Sequence, residues 1–199
     1  LEAVSQMLGD EIDPKKKKLI ENAAKRINDI ANNLVAEYRT NLTKDLSSIN
    51  IDRNITLNTL IEDIVEEKRL SLDSKHKILF KGPESISIPE KLNSTEFQRV
   101  ISNLINNSIE AFDKENGFID ISLSRNERII QVRIRDNGKG ISPDQLSKVF
   151  NKGVSGKSTG AGLGLSHAKE YIASVGGRLT IESVPYKETT VLITIESAS

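Results

Sequence analysis

Two neighbouring runs, FIDISLSRN (118–126) and RIIQVRIRD (128–136), alternate apolar and polar residues with a period of two. Successive side chains of an extended chain point to opposite faces, so each run describes a strand with one buried and one wet face. Asn126-Glu127 lies near the turn, which makes the pair a hairpin. A sheet with one apolar face must bury it against another layer. Candidate covers are visible: residues 94–112 form a strongly amphipathic helix, and 58–72 and 163–175 read as further helices. The last of these stops at Gly176-Gly177. A short extended piece at Asn54–Leu57, KILFKG (77–82), RLTIES and TTVLITIE add extended segments. Helices therefore lie between strands that mostly return as hairpins. The expected class is α+β, a two-layer sandwich of a mixed β-sheet with helices on one face.

Ahead of this block, residues 14–48 read as one long helix, with Ile20, Ala23, Ile27, Ile30, Leu34 and Tyr38 at steps of three and four. Asp13-Pro14 suits its N-cap and first turn. The seam fits a coiled coil or an antiparallel bundle. Lys15 to Lys18 read as a solvated helix face, and LEAVSQML as the tail of a preceding helix. The expected division is 1–48, a helical region, and 49–199, a sheet domain. Charge excludes several functions. With 28 Lys+Arg against 28 Asp+Glu, the 199-residue chain has no global electrostatic footprint for nucleic acid or an anionic membrane. Without cysteine there are no disulfides or thiolate metal sites, and two histidines without HExxH spacing leave zinc dependent on carboxylates. No apolar run approaches the ~18–20 residues of a membrane span, and no signal peptide is visible. Because the chain begins at Leu1 rather than Met, we expect a piece of a longer protein.

The stretch VFNKGVSGKSTGAGLGLSHAK (149–169) invites a phosphate-binding reading. A Walker A loop fails because Asn151 stands where the first glycine is needed. The dinucleotide fingerprint fails because Leu165 stands at its third glycine, and no strand leads in. Alone, the stretch is a flexible loop with a glycine-rich helix entry. It follows NLINNSIEA (103–111) and DNGKG (136–140), however. Asn103 and Asn107 are four residues apart and share a helix face, opposite the apolar residues Phe97, Val100, Ile101, Leu104, Ile105 and Phe112. Mg²⁺ prefers oxygen ligands and retains waters. A carboxylate such as Asp136 can accept an amine N–H. Glycines such as Gly138 and Gly140 permit tight turns and close approach. Backbone N–H groups at a helix start suit phosphate.

The order N-x-x-x-N, D-x-G-x-G, G-x-G-x-G resembles the ATP-binding catalytic domain of sensor histidine kinases, within the GHKL superfamily, over about residues 50–197. The helix at 14–48 more loosely resembles the second helix of the dimerisation and phosphotransfer hairpin. The resemblance implies a Bergerat-type ATP-binding fold preceded by a long N-terminal helix. It implies ATP and Mg²⁺ as ligands, Asn107 on the metal, and Asn103 beside the phosphates or a metal-bound water. Asp136 would meet the adenine amine, with Gly138 and Gly140 around the base and Thr189 acting through water. Glu188 replaces the glycine usual before that threonine. Phe150 falls in the F box. Gly160, Gly162, Leu163 and Gly164 form the second glycine box, and Lys152 and Lys157 sit on the ATP lid between the two.

Related gyrase- and chaperone-type ATPases carry a water-activating glutamate where this chain has Asn103, so the resemblance favours phosphoryl transfer over hydrolysis. Glu110 stands where many histidine kinases have lysine. The implied partners are ATP or ADP, a dimer mate through the N-terminal helices, and a response-regulator receiver domain. Neither nucleic acid nor membrane contact is implied for this chain. The implied location is cytoplasmic, with a membrane-anchored parent left open. Leu1 to Leu8 contain no histidine, and His76 and His167 read as non-catalytic; the chain is expected to bind Mg-ATP without phosphorylating itself. The rival readings are an anti-sigma-factor-type serine kinase and a degenerate nucleotide-binding or scaffolding module.

Overall fold

The structure, a computed structural model, describes residues 55–83, 85–113, 115–151 and 164–197. The long helix expected at 14–48 and the boundary at 48/49 lie outside the described residues.

The first element, α1 (Leu57–Ser71), starts at a reciprocal cap: Thr56 Oγ1 accepts from Thr59 N at 3.2 Å, and Thr59 Oγ1 accepts from Thr56 N at 3.0 Å. These bonds satisfy amides that a helix start leaves orphaned. Its inner face buries Leu57, Leu60, Ile61, Ile64 and Val65. Asn58, also buried, donates to Pro83 O and accepts from Ile86 N at 2.9 Å, which fastens the helix to the loop beyond the first strand.

Five strands, β1 (Lys77–Lys81), β2 (Phe118–Asn126), β3 (Ile129–Asp136), β4 (Arg178–Val184) and β5 (Glu188–Glu196), form one sheet in the order β1-β2-β3-β5-β4. β1 runs parallel to β2 and every other neighbour pair is antiparallel. A parallel pair needs a crossover connection, and α2 (Ser94–Glu110) lies in it. The β2–β3 turn falls at Glu127-Arg128, one residue later than expected, with Glu127 at φ 51. Arg69 at the end of α1 donates from Nε and Nη2 to Ile78 O, at 3.0 and 2.8 Å, and so ties the helix to β1.

Register shows how the sheet's two faces differ. One row across all five strands reads Ile78, Ile119, Asp136, Thr189, Ser183. The next on the same face reads Phe80, Ile121, Ile134, Val191, Ile181. These two rows are apolar except where the first crosses β3, β5 and β4. The other face is solvated and carries Asp120, Arg133, Arg135, Glu182 and Glu188, with Arg135 paired to Glu188.

Helix α2 covers the apolar face. Its N-cap Asn93 accepts from Glu96 N at 3.0 Å. The stripe Phe97, Val100, Ile101, Leu104, Ile105 and Ser108 is buried, at the steps of three and four that a core-facing helix requires. A four-residue turn of helix, α3 (Pro143–Leu146), follows the sheet's centre. The last helix, α4 (Gly164–Ser174), buries Ser166, Ala168 and Ile172, and Tyr171 Oη donates to Asn93 O at 3.0 Å. It ends where Gly176 takes φ +79 and Gly177 N returns to Ile172 O at 2.8 Å, a left-handed stop that glycine provides without steric cost. Helices on one face of a mixed sheet are the α+β sandwich expected from the pattern.

Phe97 is 0% exposed at the α2–sheet interface. Phe97→Ala should lower unfolding free energy by about 3–5 kcal/mol, read as a shifted denaturant midpoint at constant slope.

Candidate functional site

Asp136 ends β3 with 4% exposure, the one buried ionisable side chain among the described residues. A buried carboxylate must be compensated by donors. Three converge on it: Gly138 N bonds Oδ1 at 3.0 Å, Ser108 Oγ donates to Oδ2 at 3.0 Å, and the Thr189 backbone N–H adds a third. Burial pushes the Asp136 carboxyl up from its ordinary value. The bonds from Gly138, Ser108 and Thr189 pull against this, and the charge of Glu188 adds a small upward push. A carboxylate offers roughly four lone-pair positions. Among the described residues these bonds leave it able to accept from a ligand.

The loop after Asp136 is stitched on both sides. Lys139 N donates to Ala111 O at 2.9 Å, and a Cβ on Gly138 would stand 2.6 Å from that same oxygen. On the other side, Tyr186 N donates to Lys139 O at 2.7 Å, and a Cβ on Gly140, at φ +66, would collide with Val184 O. The glycines expected to lie against a flat base thus make room for protein backbone: Gly138 for the end of α2, Gly140 for the β4–β5 hairpin. Asn137 closes the loop's base, accepting from Phe118 N at 2.7 Å and donating to Asn116 O at 3.0 Å.

Thr189 faces Asp136 across the register and is 7% exposed. Ser183 Oγ donates to Glu188 O at 2.9 Å, accepts from Ile141 N at 2.8 Å, and lies 2.9 Å from Thr189 Oγ1. One hydroxyl has one proton, so Thr189 donates to Ser183 and keeps its own lone pairs for a ligand. Glu188, the replacement for glycine, pairs with Arg135 on the solvated face, and this bond lowers its pKa. Its side chain leaves the Asp136 row uncrowded.

Asn103 and Asn107 sit one turn apart on α2, Asn103 half-buried and Asn107 exposed. Asn107 immediately precedes Ser108, so one helix carries both an exposed amide and the hydroxyl bonded to Asp136. Phe150 packs on the core with Lys169 Nζ of α4 at 4.2 Å from its ring centroid. Gly164 opens α4, and no described atom lies within 4 Å of a Cβ built on it. Lys152, Lys157, Gly160, Gly162 and Leu163 lie outside the described residues. The histidines are engaged elsewhere: His76 stacks on Phe112 at 4.8 Å, and His167 Nε2 lies 3.5 Å from Glu96. Sequence reasoning missed Ser108 and Ser183. The available signals were Ser108 in line with the buried stripe of α2, and Ser183 at an inward position of β4.

Residues 92–199 match the family described as histidine kinase-, DNA gyrase B-, and HSP90-like ATPase. The heme sensor protein HssS of Staphylococcus saprophyticus is 32% identical over 74% of this chain and 32% of its own length. The sensor histidine kinase DcuS of Escherichia coli is 36% identical over 43% of this chain and 16% of its own. The chain thus spans about a third or less of these relatives. Among solved structures, the nucleotide-free catalytic domain of histidine kinase ThkA is 26% identical, with a TM-score of 0.62 over 72% of this chain and 96% of that one. Full-length ShkA, at 17% identity, shares the fold over 93% of this chain and 39% of that one, with a TM-score of 0.65.

The two glycine contexts separate by experiment. Gly138→Ala forces a Cβ into Ala111 and should cost about 1–3 kcal/mol. Gly164→Ala, at a helix start, should leave the unfolding midpoint unchanged or raise it, by up to about 1 kcal/mol. Equal effects in denaturant titrations would contradict the packing described for Gly138.

Proposed function

The chain belongs to the family of histidine kinase-, DNA gyrase B-, and HSP90-like ATPases, and from that premise we propose that it is the catalytic, ATP-binding portion of a protein-histidine kinase. The observation that carries the reading is the buried Asp136 carboxylate, aimed by hydrogen bonds from Gly138 N and Ser108 Oγ and, among the described residues, still able to accept from a ligand. An acceptor-only group at that place selects the exocyclic amine of adenine and opposes the carbonyl that guanine presents there. Thr189 supports the same edge with its uncommitted lone pairs.

Asn103 and Asn107 serve the phosphate end. Among the described residues, no group of three or more His, Cys, Asp or Glu could hold a metal ion. An oxygen-seeking divalent ion at Asn107 would therefore draw its other ligands from phosphate and water, which suits Mg²⁺. Bound there, Mg²⁺ supplies neutralisation of phosphate charge. The start of α4 offers backbone N–H groups to the phosphates, and Lys152, Lys157, Gly160, Gly162 and Leu163 are proposed to complete that end.

In the transfer, the bond from the γ-phosphorus to the β,γ-bridging oxygen breaks. A bond to an imidazole nitrogen of an incoming histidine forms, and ADP departs. Phosphoryl transfer depends chiefly on positioning and electrostatics. An amide at Asn103 supports that reading, since it cannot take a proton from water as a carboxylate would. The histidine, a dimer mate joined through the N-terminal helices, and a response-regulator receiver domain are the proposed partners, with residues 1–48 as the helical region and 49–199 as the catalytic domain. The proposed location of this portion is cytoplasmic; among the described residues no helix is long and apolar enough to cross a membrane.

Calorimetric titration with ATP, ADP and GTP, with and without Mg²⁺, tests the reading. ATP and ADP should bind, GTP should bind at least about ten-fold more weakly, and Asp136→Asn should abolish the preference. Absence of ATP binding would instead favour a scaffolding module. Asn107→Ala should remove most of the Mg²⁺ enhancement of ATP binding; an undiminished response in the variant would refute its role at the metal.

A further inference from the structure

We infer that Ser108 is a positioning residue that sets purine specificity: by donating to Oδ2 of Asp136 it keeps that carboxylate an aimed, acceptor-only group. The inference deepens the adenine reading of the same site and rests on it. Ser108 is 3% exposed and lies on the sheet-facing stripe of α2, at a position that packing alone would fill with an apolar residue. Its hydroxyl reaches 28 residues along the chain to the carboxylate, at 3.0 Å. The two remaining donors, Gly138 N and Thr189 N, come from backbone and cannot be changed by substitution of a side chain. Ser108 is therefore the one side chain among the described residues that orients this carboxylate directly.

The geometry also decides what form the acid takes. Charged groups on the elements around Asp136 are few. α2 contributes Glu110, exposed at its end, and the following loop contributes Lys139, also exposed. β2 places apolar Ile119 beside it, and β5 contributes Glu188, turned to the other face and paired with Arg135. Among the described residues none is a cation directed at the carboxylate, so the hydrogen bonds are what favour its ionised form against burial. Removing one of them favours the protonated acid. A protonated Asp136 offers an O–H, which opposes the adenine amine and suits a guanine carbonyl. The preference for ATP should then fall as pH falls through the folded-state pKa of Asp136, and loss of Ser108 should move that fall to higher pH.

The test is calorimetric titration of the full chain with ATP and GTP over a pH series that runs upward from the ordinary carboxyl range, the direction in which burial shifts Asp136. For Ser108→Ala, ATP affinity should drop about ten-fold or more near neutral pH, the scale of a lost bond to a charged group. GTP affinity should hold or rise, and the midpoint of the preference should shift upward in pH. Ser108→Cys keeps similar volume but donates weakly, so it should show the same selective loss in smaller measure, and it carries the test if the alanine variant does not fold. Equal loss of ATP and GTP would reduce Ser108 to a structural role and overturn the inference. So would an unchanged ATP:GTP ratio with an unchanged pH midpoint; in both cases the adenine site itself would stand. Failure of the parent chain to bind ATP would overturn the site reading and this inference together.

Discussion

A carboxylate at the end of β3, on the face the helices cover, is the constraint around which the other parts are arranged. An unpaired buried charge costs several kcal/mol or neutralises itself. Asp136 avoids that outcome through donors from three separate parts of the chain: Ser108 of α2, Gly138 of the following loop and Thr189 of β5. Each donor reaches it only if its element is in register. A one-residue slip of β5 against β3 would replace Thr189 by a residue facing the other way. The carboxylate therefore rewards a single alignment of β3, β5 and α2, and the apolar rows beneath it are consistent with that alignment.

The loop from Asn137 to Ile141 then joins elements that sequence keeps far apart. Gly138 and Lys139 close on Ala111, while Gly140 and Ile141 close on Val184 and Ser183. Because these contacts involve backbone, their geometry tolerates little drift, and the carboxylate between them is held with little freedom. Asn107 and Ser108 are consecutive on α2, about 100° apart around its axis. One faces outward and the other inward, so a displacement of the helix would disturb the proposed metal contact and the Asp136 bond together.

Much of this was legible in the sequence because it rests on periodicity. The alternation in 118–136 marked the hairpin, and the stripe Phe97 to Ile105 marked α2 and its buried face. The motif DNGKG marked Asp136, Gly138 and Gly140, whose bonds and close backbone contacts the structure describes. What escaped was carried by ordinary residues in ordinary places. Ser108 and Ser183 occupy inward positions that no pattern separates from tolerated small residues, and only the three-dimensional row Asp136, Thr189, Ser183 gives them partners. The parallel placement of β1 beside β2 depends on the crossover through α2, which local pattern does not encode. The glycines were recognised for their freedom, but the neighbours that require them, Ala111 and Val184, appear only after folding.

The distribution of protonatable groups bears on why such a site would transfer phosphate rather than hydrolyse it. Attack by water needs a base near the phosphates, whereas attack by a neutral imidazole brings its own lone pair. Asp136 cannot act as that base: Ser108, Gly138 and Thr189 occupy most of its acceptor positions, and its row lies at the proposed purine end. One turn before Asn107, where a basic carboxylate would stand beside the proposed metal, Asn103 offers an amide that can coordinate or hydrogen-bond but does not accept a proton. In the proposed site the side chains would thus divide into an acceptor for the base and neutral oxygens for the phosphates. On that proposal, among the described residues the nucleophile would draw its activation from the group that enters the site.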